Sequence, residues 1–177
     1  FDDTVRLYDS DTCQCVKLLG CACRDLRTVA FSPDGYRIAS AGRNGTIRVF
    51  QMPMAERERD IAAARRRIRA VAFSPSGRRM ASAGDGPMIC IWDVTTGEKI
   101  RDLPARPAKI MALVFTSEDE LFAGGTDNVI RQWDLTAGRV GYELVGHTGT
   151  VAALARDETA GWLISGSFDT TVRIWNI

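Results

Sequence analysis

Three residues near the end of the chain have the types that acyl-transfer catalysis requires. His147 is the only histidine, and Ser165 and Asp169 follow it in the sequence. In a Ser-His-Asp triad, a histidine held between a carboxylate and a hydroxyl moves a proton while the serine attacks the substrate. The same groups also form a purely structural hydrogen-bond network, because each ring nitrogen then has a partner. The residue types alone leave both interpretations open.

Four cysteines have a spacing that would suit metal chemistry. They form the pattern CxC-x5-CxC and are Cys13, Cys15, Cys21 and Cys23. Four thiolates can hold zinc in a tetrahedral site, although zinc sites usually use the spacing CxxC. We favour the alternative, four small and partly buried residues on an outer strand and in the turn after it. A redox disulfide is the third interpretation. The sequence therefore predicts no metal and no cofactor.

The densest charge cluster is basic. It comprises Arg65, Arg66, Arg67 and Arg69. One interpretation is a solvated turn whose charge is balanced by the nearby acidic residues Glu56, Glu58 and Asp60. The other is a basic patch that faces a partner.

Composition limits these chemistries. The 177 residues are 45% apolar, and 23 basic against 22 acidic residues leave a net charge of +1. Such a charge indicates no nucleic-acid or membrane partner. No apolar run approaches the roughly 18 residues that a membrane span needs. Five cysteines, an odd number, are atypical of a secreted disulfide scaffold, so a cytoplasmic location is the default expectation. Glycine-rich phosphate loops and the HExxH and GxSxG motifs are absent from the sequence.

One short motif recurs along the whole chain. It reads TVRLYD, TIRVFQ, MICIWD, VIRQWD and TVRIWN, and its aromatic residues are Tyr8, Phe50, Trp92, Trp133 and Trp175. The steps between these aromatic residues are 42, 42, 41 and 42 positions. A fixed period of this length predicts one structural unit copied along the chain.

Each unit reads as short strands joined by tight turns. β-Branched residues alternate with others in the recurring motif, and SPDG or SPSG stretches form the turns. This pattern predicts an antiparallel meander. The segment from Met54 to Ala70 has the composition of a helix. Its spacing from the neighbouring motifs equals that of the other copies, so we predict a fourth, outer strand at residues 57–63.

A unit of about 42 residues with four strands and a Trp-Asp ending resembles the WD-repeat family of β-propellers. Trp92-Asp93 and Trp133-Asp134 are literal WD pairs, and Gly146-His147 supplies the GH pair of the family. The resemblance implies an all-β propeller of about four blades in a single domain, 1–177. Residues 1–19 would form the third and fourth strands of a first blade. The following blades would span 20–62, 63–104, 105–145 and, incompletely, 146–177.

The resemblance also assigns the residues that could do chemistry. In the family, a buried network joins residues that match His147, Ser165, Asp169 and Trp175, which favours a structural role over catalysis. The corresponding sets in the earlier copies depart from the pattern. They are Cys21, Ser40, Asn44 and Phe50, then Ala64, Ser82, Gly86 and Trp92, then Arg106, Ala123, Asp127 and Trp133. The complete network is therefore expected only in the last blade.

The family's loops converge on one face, which implies a partner-binding role. The matching positions are Arg24, Asp25, Arg43, Arg66, Arg67, Asp85, Arg106, Lys109, Thr126, Thr148 and Phe168. The predicted function is a non-catalytic protein–protein interaction scaffold. One alternative is a propeller enzyme or a regulatory domain of a larger multidomain protein. A second alternative is a nucleic-acid-binding propeller that uses the Arg65–Arg69 cluster.

The repeat count predicts an incomplete ring. The chain supplies 17 predicted strands, which is four blades plus one surplus third strand, whereas rings of the family usually have about seven blades. We therefore expect an arc of a larger propeller, completed by further sequence or by another chain. Open ends of this kind favour self-association.

Overall fold

The computed structural model describes residues 4–20, 25–53, 56–105, 108–157 and 159–177. All regular elements in these ranges are β-strands, so the predicted all-β class is confirmed. The strands are β1 (Thr4–Tyr8), β2 (Cys15–Gly20), β3 (Leu26–Phe31), β4 (Arg37–Gly42), β5 (Thr46–Gln51), β6 (Glu56–Ala62), β7 (Ile68–Phe73), β8 (Arg79–Gly84), β9 (Met88–Asp93), β10 (Lys99–Pro104), β11 (Ile110–Phe115), β12 (Glu120–Gly125), β13 (Ile130–Asp134), β14 (Arg139–Leu144), β15 (Val151–Asp157), β16 (Trp162–Ser167) and β17 (Val172–Asn176). Within these ranges, no helix is long and apolar enough to cross a membrane.

In the part of the chain that the structure describes, consecutive strands pair into five antiparallel sheets. Sheet 1 contains β1 and β2, sheet 2 contains β3 to β6, sheet 3 contains β7 to β10, sheet 4 contains β11 to β14, and sheet 5 contains β15 to β17. The first strands of sheets 2 to 5 lie next to one another in chain order. Sheets 2 to 5 are therefore meanders whose first strand is innermost and whose later strands lead outward.

The predicted outer strand at residues 57–63 is confirmed as β6, shifted by one residue. β6 pairs with β5, so that Ile61 lies opposite Ile47 and Asp60 lies opposite Arg48. Both isoleucines are buried. Pairing and burial thus override the helical propensity of the surrounding Ala, Glu and Arg residues, because tertiary contacts outweigh a weak intrinsic preference.

The core lies between the sheets rather than at one centre. Among the described residues, four apolar clusters each join two consecutive sheets. Ile38 and Phe50 of sheet 2 meet Leu19 of sheet 1, for example, and Phe122 of sheet 4 meets Leu163 of sheet 5. Burial of such side chains is worth about 1.5–3 kcal/mol each, which makes sheet-to-sheet packing the main source of stability.

Every inner strand of sheets 2 to 5 begins with the same backbone irregularity. The pairing register shifts at the beginning of β3, β7, β11 and β15, opposite the end of the following strand. At that end, a β-carbon on Gly42, Gly84 or Gly125 would lie 2.5, 2.2 or 2.1 Å from a carbonyl oxygen of the loop before the inner strand. The three carbonyls belong to Asp25, Arg67 and Lys109. Glycine is thus required for the close approach that fixes these loops.

Apolar side chains are exposed on the end sheets. Val29 and Phe31 of β3 are 52% and 57% exposed, and Val172 and Ile174 of β17 are 71% and 61% exposed. The equivalent surfaces of sheets 3 and 4 are covered by their neighbours. Completion of these faces by further strands stays a prediction.

Candidate functional site

A basic recess of about 400 Å³ opens at the edge where the inner strands begin. We define the basic recess by its lining residues, which are Arg43, Arg66, Arg67, Asp85 and Lys109. All five belong to the predicted partner-binding face. They come from the loops β4–β5, β6–β7, β8–β9 and β10–β11, so sheets 2, 3 and 4 all contribute. The antiparallel meander brings these four loops to the same edge.

Charge in the basic recess is only partly balanced. Asp85 is held by Arg69, whose Nε lies 2.5 Å from one carboxylate oxygen, and this hydrogen bond is the main reason that the pKa of Asp85 is lowered. Arg67 lies 3.5 Å from Asp25. Arg43, Arg66 and Lys109 are exposed. Within the described ranges, none of these three makes an ion pair.

Two of the three acidic residues that were expected to balance the arginine cluster, Glu58 and Asp60, form ion pairs elsewhere. Glu58 pairs with Arg37 at 2.9 Å, and Asp60 pairs with Arg48 at 2.6 Å. Both acidic residues lie in β6, where Asp60 is opposite Arg48 of β5 and Glu58 reaches Arg37 of β4 rather than the loop that follows. The arginine cluster therefore keeps more positive charge than sequence proximity suggests.

Other residues of the predicted face lie in loops of sheets 4 and 5. The Thr126 hydroxyl accepts a hydrogen bond from the backbone N–H of Lys109 at 3.1 Å. Thr148 and Phe168 belong to sheet 5 loops, where Phe168 is 71% exposed and Thr148 donates its backbone N–H to Asp169 at 2.9 Å. Arg24 and Arg106 lie outside the described residues.

The structure brings together the four residues of the predicted network. Asp169 Oδ2 lies 2.8 Å from His147 Nδ1, and Ser165 Oγ lies 2.7 Å from His147 Nε2. Trp175 Nε1 donates to the same Ser165 hydroxyl oxygen at 2.9 Å. The hydroxyl accepts from the indole and so has its own proton free for the imidazole. The partners thus assign the ring proton to Nδ1, which donates to Asp169.

Asp169 collects donors from several directions. The Thr171 hydroxyl donates to Oδ1 at 2.7 Å, and this bond is the largest cause of a pKa well below the usual aspartate range. The backbone N–H of Thr148 and the His147 ring contribute in the same direction, while burial opposes them. The carboxylate therefore stays ionised and holds the imidazole in one orientation.

The tryptophans equivalent to Trp175 in sheets 3 and 4 form part of the network or none of it. In sheet 3, Trp92 Nε1 donates to Ser82 Oγ at 2.9 Å. In sheet 4, Ala123 occupies the serine position. Trp133 Nε1 is buried there and has no hydrogen-bond partner among the described residues. The loss of one hydroxyl thus leaves one orphaned donor.

The cysteines differ from expectation in one respect. Cys13, in the turn before β2, and Cys15, the first residue of β2, are exposed rather than partly buried. Cys21 and Cys23 lie outside the described residues. Among the residues that are described, no three His, Cys, Asp or Glu side chains form a group that could hold a metal ion. Cys90, of intermediate exposure, has a thiol pKa raised to about 12, mainly by burial, which makes it a poor nucleophile at neutral pH.

Comparison with known families identifies the repeat. The family model described as "WD domain, G-beta repeat" matches residues 13–51, 60–93, 97–134 and 138–176, which is most of the chain. The chain belongs to the WD-repeat family. Each matched WD repeat begins at or near the outer strand of one sheet and continues into the first three strands of the next. The five sheets are therefore the blades of this WD-repeat protein, and each repeat ties two blades together.

Relatives of this WD-repeat chain carry different names. A Periodic tryptophan protein 2 homolog from Neurospora crassa is 40% identical over 62 residues, which is 34% of this chain and 7% of the relative. Mitochondrial division protein 1 from Pyricularia oryzae is 40% identical over 57 residues, covering 32% of this chain and 8% of the relative. An uncharacterized WD repeat-containing protein from Schizosaccharomyces pombe is 33% identical over 57 residues, covering 32% and 15%. The matches thus span at most about a seventh of these relatives.

WD repeats generally serve as protein-interaction scaffolds and are generally non-enzymatic. The geometry of the triad-like set agrees with that general role. Ser165 is fully buried at 0% exposure, and His147 is 6% exposed. A nucleophile closed off from solvent has no access to a substrate carbonyl, so we expect the set to stabilise its WD blade rather than to catalyse a reaction.

Loss of the imidazole should weaken the last blade. Replacing His147 with alanine leaves the Ser165 hydroxyl and the Asp169 carboxylate without the imidazole as a partner, and we expect the free energy of unfolding to fall by about 1–3 kcal/mol. Urea denaturation followed by tryptophan fluorescence measures this change. Thr148→Ala is the matched control, because that side chain is exposed and the backbone N–H that donates to Asp169 is kept. Equal midpoints for the two variants would contradict a bracing role.

The low pKa of Asp169 gives the last blade a defined pH dependence. Because the folded-state pKa lies below the unfolded value of about 4, the contribution of Asp169 is present above pH 4 and is lost as the pH falls further. We therefore expect acid destabilisation between about pH 4 and pH 2 that is smaller in Asp169→Asn. Urea midpoints at several pH values measure it. Parallel pH profiles for the two proteins would show that Asp169 is not responsible.

An added hydroxyl should repair the third network. In Ala123→Ser, the new oxygen stands where Ser82 and Ser165 accept the indole N–H of Trp92 and Trp175. We expect the introduced hydroxyl to accept from Trp133 and to stabilise the protein by about 1 kcal/mol. The control Ala81→Ser buries a hydroxyl at a position that no tryptophan N–H contacts, so it should destabilise the protein. Thermal denaturation distinguishes the two, and a lower melting temperature for Ala123→Ser would refute the repair.

Proposed function

We propose that this chain is a non-catalytic protein-interaction scaffold and that partners bind the loop edge around the basic recess. The supporting observation is the basic recess itself, where loops from three successive blades place three cations that make no ion pair with any described residue. Charged loops on a packed β framework suit binding, because the blades hold them in position at little entropic cost.

The size of the basic recess sets what a partner must do. A stable protein interface buries about 800 Å² on each partner, far more than one recess offers. A partner therefore also covers neighbouring loops, which include exposed Phe168 and Thr148 of sheet 5. The basic recess supplies steering and charge complementarity, while the surrounding loops supply contact area.

Quantitative affinity capture tests the proposed face. The bait is the 177-residue chain, compared with Arg43→Glu/Lys109→Glu and with the charge-matched control Arg78→Glu/Arg139→Glu. The control residues are exposed at the opposite edge, in the β7–β8 turn and at the start of β14. We expect the control to retain the proteins that the native bait captures and the first variant to lose most of them. Equal capture by both variants would contradict the proposed face.

The same experiment separates a nucleic-acid partner from a protein partner. Lysate treated with nuclease is captured in parallel. Loss of all captured proteins after this treatment would favour nucleic-acid binding through the arginine cluster. Binding to phosphodiesters would also fall steeply with added salt.

A further inference from the structure

The cations of the basic recess converge from three blades. Arg43 comes from sheet 2, Arg66 and Arg67 from the loop into sheet 3, and Lys109 from the loop into sheet 4. The Arg67 and Lys109 carbonyls are packed against Gly84 and Gly125, which fixes the backbone at both positions. The positive charge is therefore placed by the fold and does not depend on a flexible tail.

One buried donor in this wall lacks a partner. Arg67 Nε is buried and makes no hydrogen bond in the described part of the chain, although the terminal nitrogen of the same guanidinium lies 3.5 Å from Asp25. The carboxylate of the lining, Asp85, is already engaged by Arg69 through two contacts of 2.5 and 3.4 Å. The basic recess therefore presents positive charge that no described carboxylate pairs with, and this charge suits an anionic ligand.

The size of the basic recess limits how many side chains can enter it. A recess of about 400 Å³ admits one or two side chains. Carboxylates on neighbouring residues of an extended peptide point to alternate faces, so few of them can enter together. One phosphorylated side chain brings a charge of about −1.5 to −2 and three acceptor oxygens to a single point. Guanidinium groups match that geometry with paired N–H donors.

An extended nucleic acid fits less well. Its phosphates each carry one charge and are spread along a strand, so binding relies on a long basic stripe. Here the chain has a net charge of +1, and the carboxylates of Asp25 and Asp85 lie at the basic recess. The charge is concentrated at one point rather than along a line.

We propose that the basic recess binds a phosphorylated side chain of a partner protein. Arg43, Arg66 and Lys109 contact the phosphoryl oxygens, and the Arg67 guanidinium lines the wall behind them. This inference rests on the proposed function and adds the chemistry by which a partner is recognised.

Fluorescence anisotropy with defined probes tests the inference. The probes are a short Gly/Ala peptide with a central phosphoserine, the same peptide with glutamate or serine at that position, and a short thymidine oligonucleotide. We expect the phosphoserine peptide to bind about tenfold tighter than the glutamate peptide, since it brings a second charge and a third oxygen. Arg43→Ala and Arg66→Ala should each weaken it about fivefold or more, while Arg78→Ala should leave it unchanged.

Three outcomes would overturn the inference. They are equal affinity for the phosphoserine and glutamate peptides, affinity unchanged by Arg43→Ala and Arg66→Ala, and tighter binding of the oligonucleotide than of the phosphoserine peptide. Capture from phosphatase-treated lysate distinguishes this failure from that of the proposed function. If partners captured from phosphatase-treated lysate still depend on Arg43 and Lys109, the proposed scaffold function holds and the proposed phosphate recognition fails.

Discussion

Gly84→Ala is expected to destabilise the protein by about 3 kcal/mol, at the upper end of the usual cost of overpacking. A β-carbon at this position would lie 2.2 Å from the Arg67 carbonyl oxygen, 2.9 Å from the Arg69 nitrogen and 3.0 Å from the Ile68 α-carbon. All three atoms are backbone, so no side chain can rotate away. The same carbonyl accepts a hydrogen bond from the Asp85 N–H at 3.0 Å, which the displacement would also break.

The control for this variant lies two residues further along the chain. Gly86 has no atom within 4 Å of a β-carbon at its position, so Gly86→Ala should change stability by no more than about 0.5 kcal/mol. Urea denaturation of both variants gives the comparison. Similar midpoints would mean that the inner-strand loop can move to make room for the β-carbon. The fold would then not fix the backbone at Arg67.

Asp60→Asn is expected to cost about 3 kcal/mol, because it removes the charge of a carboxylate that is bonded to a buried guanidinium. Arg48 is 6% exposed, and its Nε and Nη2 bind the two Asp60 oxygens at 2.6 and 2.7 Å. Its Nη1 donates to the Gly20 carbonyl of β2 at 3.1 Å. Asparagine at position 60 keeps the shape of the contact but not its charge. The substitution therefore weakens the binding of Arg48, which joins sheets 1 and 2.

Removing the other partner should cost less. Arg48→Met fills the buried space with an apolar chain. The Asp60 side chain, which is 32% exposed, remains accessible to solvent and keeps its contact of 3.7 Å to Arg57. We therefore expect a loss of about 1 kcal/mol for Arg48→Met, because an apolar replacement of a buried ion often costs little. Urea midpoints of the two variants test the asymmetry. An equal or larger loss in Arg48→Met would show that the hydrogen bond to Gly20, rather than the charge, is what matters.

The strand pattern of this chain could be predicted because its signals are local and repeated. Alternating β-branched residues and turn glycines mark each strand, and the fixed period placed β6 even where composition favoured a helix. The defect at Trp133 could also be anticipated, since Ala123 stands where the other copies carry serine. These conclusions need only the alignment of one copy with the next.

The charge pattern at the site could not be predicted in the same way. Glu58 and Asp60 are close in sequence to the arginine cluster, but a strand sends its side chains to cross-strand partners instead. Which cations remain unpaired is decided by register and by contacts between blades, and neither is visible in one repeat. Only the Asp60–Arg48 pair could be predicted. Once β6 is assigned as a strand, the β5–β6 hairpin places these two residues opposite each other.

The second strands of the complete blades are the most deeply buried backbone in the molecule's middle sheets. In β4, β8 and β12, every residue after the first is buried, so their amide hydrogens should exchange with solvent only in rare, large openings of the protein. The loops that carry Arg43 and Asp85 begin directly after β4 and β8. Arg43 and Asp85 are thus attached to the slowest-opening parts of these sheets. A ligand would then meet a backbone that is already ordered and would lose little affinity to ordering it.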